Sequence, residues 1–282
     1  MIKLIASDLD GTLLDEEKKL TKDNYEALQS AHTAGIEIVP ATGRLYNKLP
    51  EAVNALDYIT YVISVNGADV RNIRTGECIY SKELPLGTTL DLMHYYDTLS
   101  LPYYVYMKNA AYIAPDALRA ACEIMADRSY LELLQKVCMP IDNIREYLVQ
   151  RGDNVQKVIV MLRDQSLRRN LLDTLAGRFD GIAVSSSFRH NVEVNSAGAD
   201  KGIALRKLAE HLGIRPEDTM AFGDGLNDRE MLQAAGIGIA MANAEKEILR
   251  NADYVTDSNA ESGVASAIRH FLPDLFSRKS NR

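Results

Sequence analysis

Short apolar runs alternate with helical patterns along the first part of the chain, and a polar or acidic segment follows each run. Lys3–Ser7, Ile36–Pro40 and Tyr61–Val65 each predict a buried strand. Between the first two, Thr21 predicts the cap of a helix that ends near Gly35. Strands separated by helices are typical of βαβ units and a parallel sheet, in which ligands bind beyond the carboxyl ends of the strands.

The pattern changes after Pro85, where helices and strands alternate without acidic segments at the strand ends. The predicted helices are Thr88–Leu99, Pro115–Ala126, Ile141–Gln150 and Ser166–Ala176, and the predicted strands are Tyr103–Tyr106, Ala111–Ile113, Val155–Leu162 and Gly181–Ser187. The first pattern then resumes. Lys201 begins a helix that ends at Gly213, Met220–Phe222 and Gly236–Met241 predict strands, and Asn243 predicts a helix cap.

This organisation predicts an α/β fold with a core and an insertion. We expect residues 1–84 and 189–282 to form a doubly wound, mostly parallel, Rossmann-like sheet core. Residues 85–188 are expected to form an inserted α/β domain.

Composition narrows the class of protein. The net charge of -7 argues against a nucleic-acid binder, which needs a basic face. The three cysteines are far apart and form no CxxC pair, which favours a reducing cytoplasm over a disulfide framework. No signal peptide and no membrane helix is predicted. We therefore expect a cytoplasmic protein without membrane association, and the composition is compatible with a monomer or a homodimer.

The first acidic segment carries two carboxylates, Asp8 and Asp10, directly after a predicted strand. Like charges this close need a cation, or one of them must hold a proton. A carboxylate can attack phosphorus as a nucleophile, and a protonated neighbour can protonate the leaving group. An acidic turn is an equally good interpretation of these residues taken alone.

The second acidic segment contains Asp224 and Asp228 and follows another predicted strand. Carboxylates, a backbone carbonyl and waters are the ligands that Mg²⁺ prefers. For Asp228, the alternative is an N-cap of the helix Arg229–Ala235, and both roles are compatible. Asp224 lies between two glycines and has no evident structural task.

Three further segments could bind a phosphate. Thr42, Gly43 and Arg44 combine a hydroxyl with backbone N–H groups at a predicted helix start, where anions bind. Lys201 could neutralise phosphate oxygens, although a single lysine at a helix start is usually exposed to solvent. Asn66-Gly67 predicts a hairpin turn, and a substrate contact is compatible with that turn.

Taken together, these motifs resemble the four ordered motifs of the haloacid dehalogenase-like (HAD) phosphatases, and the Thr42 and Asn66 segments resemble the Cof-type subgroup. The resemblance implies that Asp8 is the nucleophile and Asp10 the general acid/base, with Mg²⁺ held by Asp8, the Asp10 backbone carbonyl, Asp224 and Asp228. It further implies that phosphate or substrate is bound by Thr42, Gly43, Arg44, Asn66, Gly67, Lys201 and Asn227. The insertion resembles the cap that selects the substrate in this subgroup.

The expected function is therefore Mg²⁺-dependent hydrolysis of a small phosphorylated metabolite, most plausibly a sugar phosphate, through an aspartyl-phosphate. One alternative is a phosphatase for flavin mononucleotide or pyridoxal phosphate, with tyrosines of the insertion stacking on a flat ring (Tyr95, Tyr96, Tyr103, Tyr104 and Tyr106). A second enzymatic alternative is a phosphomutase. An alternative of a different class is a regulatory module that is phosphorylated on aspartate without turnover. Asp10 argues against it, since a passive phospho-acceptor needs no acid/base.

Overall fold

The structure is a computed structural model and describes residues 1–124, 134–187 and 189–277. Its strands are β1 (Leu4–Ser7), β2 (Glu37–Pro40), β3 (Tyr61–Ser64), β4 (Asp69–Asn72), β5 (Cys78–Ser81), β6 (Tyr103–Met107), β7 (Ala110–Ile113), β8 (Cys138–Pro140), β9 (Lys157–Met161), β10 (Ile182–Ser185), β11 (Asn191–Ser196), β12 (Thr219–Gly223), β13 (Ile237–Ala240) and β14 (Tyr254–Val255).

The helices are α1 (Lys22–Thr33), α2 (Glu51–Asn54), α3 (Leu86–Thr98), α4 (Pro115–Ile124), α5 (Ile144–Arg151), α6 (Gln165–Arg178), α7 (Lys201–His211), α8 (Arg229–Ala234), α9 (Lys246–Asn251), α10 (Gly263–Phe271) and α11 (Asp274–Ser277). The predicted helix over 115–126 matches α4 as far as residue 124, and its last two residues lie outside the described part of the chain.

The described chain divides into two compact units. Unit 1 contains Met1–Ser81 and Asp200–Arg282, and unit 2 contains Lys82–Ala199. The predicted boundary at residue 189 differs from this division, because β11 pairs with β9 and β10 and so belongs to the sheet of unit 2. Strand β11 was not predicted from the sequence, although the polar and apolar residues of Asn191–Ser196 alternate as in a strand.

Unit 1 is built on a five-stranded sheet in the order β14-β13-β12-β1-β2, in which every pairing is parallel. Ser7 at the end of β1 lies beside Pro40 in β2 and Phe222 in β12. Apolar side chains cover both faces of this sheet: Ile5 and Phe222 belong to one buried cluster, and Leu4 and Ala221 to another. The predicted α/β class with a parallel core sheet is confirmed.

A small antiparallel sheet of β3, β4 and β5 lies in the same unit. A short 3₁₀ turn, Val65–Gly67, joins β3 to β4, so the predicted hairpin at Asn66-Gly67 is present. Val65 and Asn66 both have positive φ angles, 53° and 58°. A β-branched residue seldom adopts such a backbone conformation, and in folded proteins strain of this kind concentrates at functional sites.

Unit 2 is built on a six-stranded sheet in the order β10-β11-β9-β6-β7-β8. One set of alternating residues, including Val158, Val160 and Val192, packs in a buried cluster with residues of α3, α5 and α6. Tyr96 of α3 is fully buried in that cluster. Tyr96 is therefore a core residue of unit 2. No helix among the described residues is long and apolar enough to span a membrane.

Asp218, just before β12, illustrates how charge stabilises unit 1. The residue is 2% exposed. Its Oδ2 accepts a hydrogen bond from Nε of Arg215 at 3.0 Å, and its Oδ1 lies 3.0 Å from the Met1 ammonium group. Hydrogen bonds from Arg215 and the amino terminus lower the pKa of the Asp218 carboxyl to about 2.

This ion pair predicts a pH-dependent contribution to stability. Because the folded-state pKa is depressed, the stabilisation is complete above the unfolded pKa of about 3.9 and is lost as the pH falls towards about 2. We expect Asp218→Asn to lower the free energy of unfolding at pH 7, and to lower it progressively less as the pH falls from 4. Urea unfolding between pH 7 and pH 3 measures this difference.

Glu217→Gln is the matched control. Glu217 also pairs with Arg215, at 3.2 Å, but both of these side chains are exposed. Exposed ion pairs contribute little to the free energy of unfolding. This variant should therefore unfold like the unmodified protein at every pH. A destabilisation by Asp218→Asn that is the same at pH 3 and pH 7 would contradict the assignment.

Candidate active site

Asp8 follows β1 and Asp224 follows β12, and the two strands are neighbours in the parallel sheet. The Asp8 N–H donates to the Phe222 carbonyl at 3.0 Å, which extends the strand pairing by one residue. The two acidic segments therefore meet at the carboxyl edge of the sheet, although 216 residues separate Asp8 from Asp224 in the sequence. This convergence follows directly from parallel strand order.

Three carboxylates form a compact cluster at this edge. One oxygen each from Asp8, Asp224 and Asp228 lies within 4.8 Å of the others. Burial, followed by the repulsion of Asp228, Asp224 and Asp10, raises the pKa of Asp8 well above its ordinary value. Burial and the charge of Asp228 raise the pKa of Asp224 to about 7. Carboxylates crowded in this way favour a bound cation.

Lys201 supplies a positive charge inside this cluster. Its side chain is 0% exposed, and its Nζ donates to Oδ1 of Asp8 and to Oδ1 of Asp228, both at 2.6 Å. Burial alone would lower the pKa of Lys201, but the two carboxylates more than offset that effect and raise it. The alternative of a solvent-exposed lysine at a helix start therefore does not apply: α7 begins at Lys201 with Asp200 at its N-cap, and the side chain is enclosed with its two carboxylate partners.

Asp228 makes hydrogen bonds through both oxygens. Oδ1 accepts from Lys201, while Oδ2 accepts from the N–H groups of Asp224 and Gly225, both at 3.0 Å. Asp228 occupies the N-cap position of α8, as the alternative interpretation has it, but its carboxylate turns back to these N–H groups and makes no cap bond to the helix. Asp228 therefore holds together the lysine and the turn that carries Asp224.

Asp10 points to a different set of cations. Arg44 donates from Nε and Nη2 to the two Asp10 oxygens, each at 2.7 Å, and Lys18 Nζ lies 2.9 Å from Oδ1. Although burial acts in the opposite direction, the Arg44 and Lys18 contacts lower the pKa of Asp10 to about 2. The carboxylate is ionised at neutral pH in this arrangement. Lys18, in the loop after the motif, has no motif signal of its own in the sequence.

The Thr42 and Asn66 segments are joined through their backbones. The N–H of Asn66 donates to the Thr42 carbonyl at 3.0 Å, and that of Val65 donates to the Arg44 carbonyl at 2.9 Å. Thr42 is buried, and its hydroxyl oxygen accepts from the Arg44 N–H at 3.2 Å. Gly43 lies between Thr42 and Arg44 in the turn that this hydrogen bond closes. The amide of Asn227 donates to Oδ1 of Asn66 at 3.3 Å, which links the Asn66 segment to the second acidic segment.

Gly67 has a packing role beside this segment. Its φ angle is +94°, and a Cβ on it would lie 2.2 Å from the Asp200 carbonyl oxygen. A side chain at this position would displace the backbone directly before Lys201. Glycine here therefore allows the hairpin turn to approach the start of α7.

Thr12, two residues after Asp10, was not among the predicted site residues. Its hydroxyl donates to Oδ1 of Asp224 at 2.7 Å. Gly11 has a φ of +91°, and a Cβ on it would lie 2.4 Å from Oδ2 of Asp224. The Gly11-Thr12 step thus lies directly against Asp224. The polar residue immediately after Asp10-Gly11 was the available signal for this contact.

The donor set of this cluster suits a hard divalent cation. It consists of carboxylate oxygens, and burial together with the repulsion of neighbouring acids raises the pKa values of Asp8 and Asp224 in spite of Lys201. Mg²⁺ prefers such oxygen ligands. Among the predicted metal ligands, the side chain of Asp10 contacts Arg44 and Lys18 and does not belong to the carboxylate cluster.

Comparisons with known proteins identify the family of the chain. The sequence matches the haloacid dehalogenase-like hydrolase family over residues 5–268. It is 32% identical to the phosphatase YwpJ of Bacillus subtilis, over 96% of this chain and 100% of that protein. The 5-amino-6-(5-phospho-D-ribitylamino)uracil phosphatase YcsE of B. subtilis is 30% identical, with 96% of each chain covered.

A solved structure shares the fold over nearly the whole chain. The structure of a haloacid dehalogenase-like hydrolase from B. subtilis has a TM-score of 0.82 and 31% identity, and the comparison covers 96% of this chain and 100% of that one. The predicted resemblance and the predicted enzyme class, a phosphatase, are confirmed. The chain belongs to the haloacid dehalogenase-like hydrolases.

Proposed function

We propose that the chain is a magnesium-dependent phosphatase that transfers the phosphoryl group of a small metabolite to Asp8 and then to water. The observation that carries this proposal is the buried Lys201 ammonium between Asp8 and Asp228, beside Asp224. A fixed positive charge next to a carboxylate nucleophile can stabilise the negative charge of a transferring phosphoryl group.

The chemistry proceeds in two steps. An oxygen of Asp8 attacks phosphorus, the bond from phosphorus to the leaving oxygen breaks, and Asp10 in its acid form gives that oxygen a proton. Water then attacks the phosphorus of the aspartyl-phosphate, Asp10 takes the proton of the water, and inorganic phosphate leaves with Asp8 restored. Lys201, which donates to Oδ1, orients the Asp8 carboxylate for the attack.

Arg44 and Lys18 bear on the second of these steps. The ionised Asp10 that they hold is the form that accepts a proton from water. The acid form used in the first step requires Asp10 to separate from these two cations. Arg44, proposed from its motif as a substrate-binding residue, could then turn from Asp10 to the phosphate of a bound substrate, where a guanidinium fits well.

The metal and phosphate ligands are assigned as follows. Asp8, Asp224 and the Asp10 backbone carbonyl would hold Mg²⁺, which would add positive charge at the phosphoryl oxygens. Asp228 would support this set through Lys201 and the Asp224 turn. The phosphate and its ester would be bound by Thr42, Gly43, Arg44, Asn66, Gly67, Lys201 and Asn227.

A sugar phosphate is the proposed substrate class, and unit 2 is the proposed substrate-selecting domain. The relative YcsE is named for a compound in which a phosphorylated ribityl chain is attached to a uracil ring. The name of this relative favours a compound with a phosphorylated polyol chain as the substrate class. It also supports a second candidate, a phosphorylated cofactor such as flavin mononucleotide, which combines a similar chain with a flat ring.

A substrate panel distinguishes these functions. The purified protein with Mg²⁺ is incubated with hexose and pentose phosphates, the phosphorylated ribitylaminouracil, flavin mononucleotide and pyridoxal phosphate, and inorganic phosphate is measured. We expect the highest kcat/KM with a sugar phosphate. An isomerised ester without phosphate release would indicate a mutase. A stable aspartyl-phosphate without turnover on any compound would indicate a regulatory module.

Asp8→Asn tests the nucleophile. The amide keeps the size of the side chain but is a poor nucleophile, so kcat should fall by at least roughly 10³-fold while the protein remains folded. Steady-state kinetics on the best substrate and a thermal unfolding curve measure the two effects. Asp23→Asn, at an exposed position paired with Arg269, is the control and should retain full activity. Full activity of Asp8→Asn would refute the assignment.

Removal of the metal tests the ligand set. EDTA should abolish phosphate release, and added Mg²⁺ should restore it. Asp224→Asn removes one proposed ligand charge, so it should raise the Mg²⁺ concentration needed for half-maximal activity by about 10-fold or more. Isothermal titration of the protein with Mg²⁺ gives an independent measurement. Activity that persists after exhaustive chelation would exclude the metal.

A further inference from the structure

Three asparagine side chains hold the backbone of the loop that carries Asp8 and Asp10. Asn243 Nδ2 donates to the Gly11 carbonyl at 2.8 Å, Asn24 Nδ2 to the Leu13 carbonyl at 3.1 Å, and Asn259 Nδ2 to the Leu14 carbonyl at 2.9 Å. These asparagines come from separate parts of the chain, and two of them lie more than 200 residues beyond the loop.

Two of the amides are fixed at both ends. Asn243 Oδ1 accepts the N–H of Asn259 at 2.9 Å, and Asn24 Oδ1 accepts the N–H of Ala265 at 2.9 Å. Each of these side chains therefore links a loop carbonyl to the backbone of the C-terminal segment. An amide that both donates and accepts has one favourable orientation, so it defines the position of its partner.

Asn243 differs from the other two in its surroundings. Asn24 and Asn259 are buried, so their hydrogen bonds satisfy carbonyls shielded from water. Asn243 is exposed, and water could replace its bond to the Gly11 carbonyl. The sequence predicted that Asn243 caps the following helix, and this prediction is wrong. Helix α9 begins at Lys246, with Glu245 at the cap position. Its contribution to folding is accordingly small, and its contact is with the catalytic loop.

The position of Gly11 explains what this contact could do. Gly11 separates Asp10 from Thr12, and its left-handed backbone has no side chain to restrict it. Thr12 is bonded to Asp224, so the Gly11–Thr12 peptide connects the two acidic segments. A hydrogen bond to the Gly11 carbonyl fixes the plane of this peptide. It thereby restrains the backbone at Thr12, whose hydroxyl donates to Asp224, and limits the torsions of Gly11, which joins this peptide to Asp10.

We propose that Asn243 is a positioning residue, which holds the Gly11–Thr12 peptide so that Asp10 and Asp224 keep their catalytic geometry. The proposal rests on the phosphatase function given above. Asn243 itself touches no reacting atom. Its loss leaves every charged group of the site in place and frees the loop between them.

Asn54 provides a matched control. Like Asn243 it is exposed, lies in unit 1 and donates one amide N–H to a backbone carbonyl, that of Leu49 at 2.9 Å. That carbonyl belongs to a loop without proposed catalytic residues. The variants Asn243→Ala and Asn54→Ala each remove one amide-to-carbonyl bond, and only the first of these bonds is to the catalytic loop. Asn243→Ala also removes the acceptor of the Asn259 N–H.

The test compares kinetics, unfolding and hydrogen exchange of the full chain with Mg²⁺. We expect Asn243→Ala to lower kcat between about 10- and 100-fold with KM changed less than about threefold, since small misplacements of catalytic groups act on the chemical step. Its thermal midpoint should shift no more than that of Asn54→Ala. Amide exchange of residues 9–14, followed by mass spectrometry, should accelerate in Asn243→Ala only. Asn54→Ala should retain its kcat.

The outcomes separate this inference from the proposed function. An unmodified protein that is inactive on every phosphate ester refutes the function. If that protein is active, a kcat of Asn243→Ala within twofold refutes the positioning role. Unchanged exchange in residues 9–14 refutes the role in any case. An equal loss of kcat in Asn54→Ala would show a general effect of destabilisation and would likewise overturn it.

Discussion

The buried ion triad of Asp8, Lys201 and Asp228 is the constraint on which the rest of unit 1 depends. An ammonium group that is 0% exposed requires close, well-oriented carboxylates to offset its lost hydration. Those partners come from segments 193 and 27 residues away. The triad is therefore complete only when β1, β12 and α7 have assembled, and the sheet order that brings Asp8 beside Asp224 also brings Lys201 to them.

Close packing around the start of α7 follows from this constraint. Gly67 admits the Asp200 backbone on one side, and a Cβ on Gly202 would lie 2.2 Å from the Glu230 carbonyl oxygen on the other. With small residues on both sides, the helix start approaches the strand ends closely enough for Lys201 to reach two carboxylates. Backbone hydrogen bonds also connect the Thr42 and Asn66 segments in this region. Backbone contacts therefore assemble a large part of the site.

The sequence predicted the fold and the principal acids because these depend on local patterns and on strand order. Apolar runs identify strands, and parallel strands place their ends at one edge. It could not decide whether Lys201 is buried, since burial depends on distant partners. The predicted helix cap at Asn243 is wrong, and at Asp228 the position is right but the carboxylate binds Lys201 and the Asp224 turn, because a side chain near a helix start has several groups to bind. Strand β11 was not predicted, and the burial of Glu193 beside Lys157 at 3.0 Å depends on a partner 36 residues away, which no local pattern shows.

The two aspartates of the first motif show how one short segment acquires two different groups. Asp8 shares Lys201 with Asp228 and lies among other acids, and its pKa is raised. Asp10, two residues later, lies between Arg44 and Lys18, and its pKa is lowered to about 2. Neighbouring carboxylates with opposite shifts are suited to different tasks. The separation arises because burial and neighbouring acids dominate at Asp8 in spite of Lys201, whereas the contacts of Arg44 and Lys18 outweigh burial at Asp10.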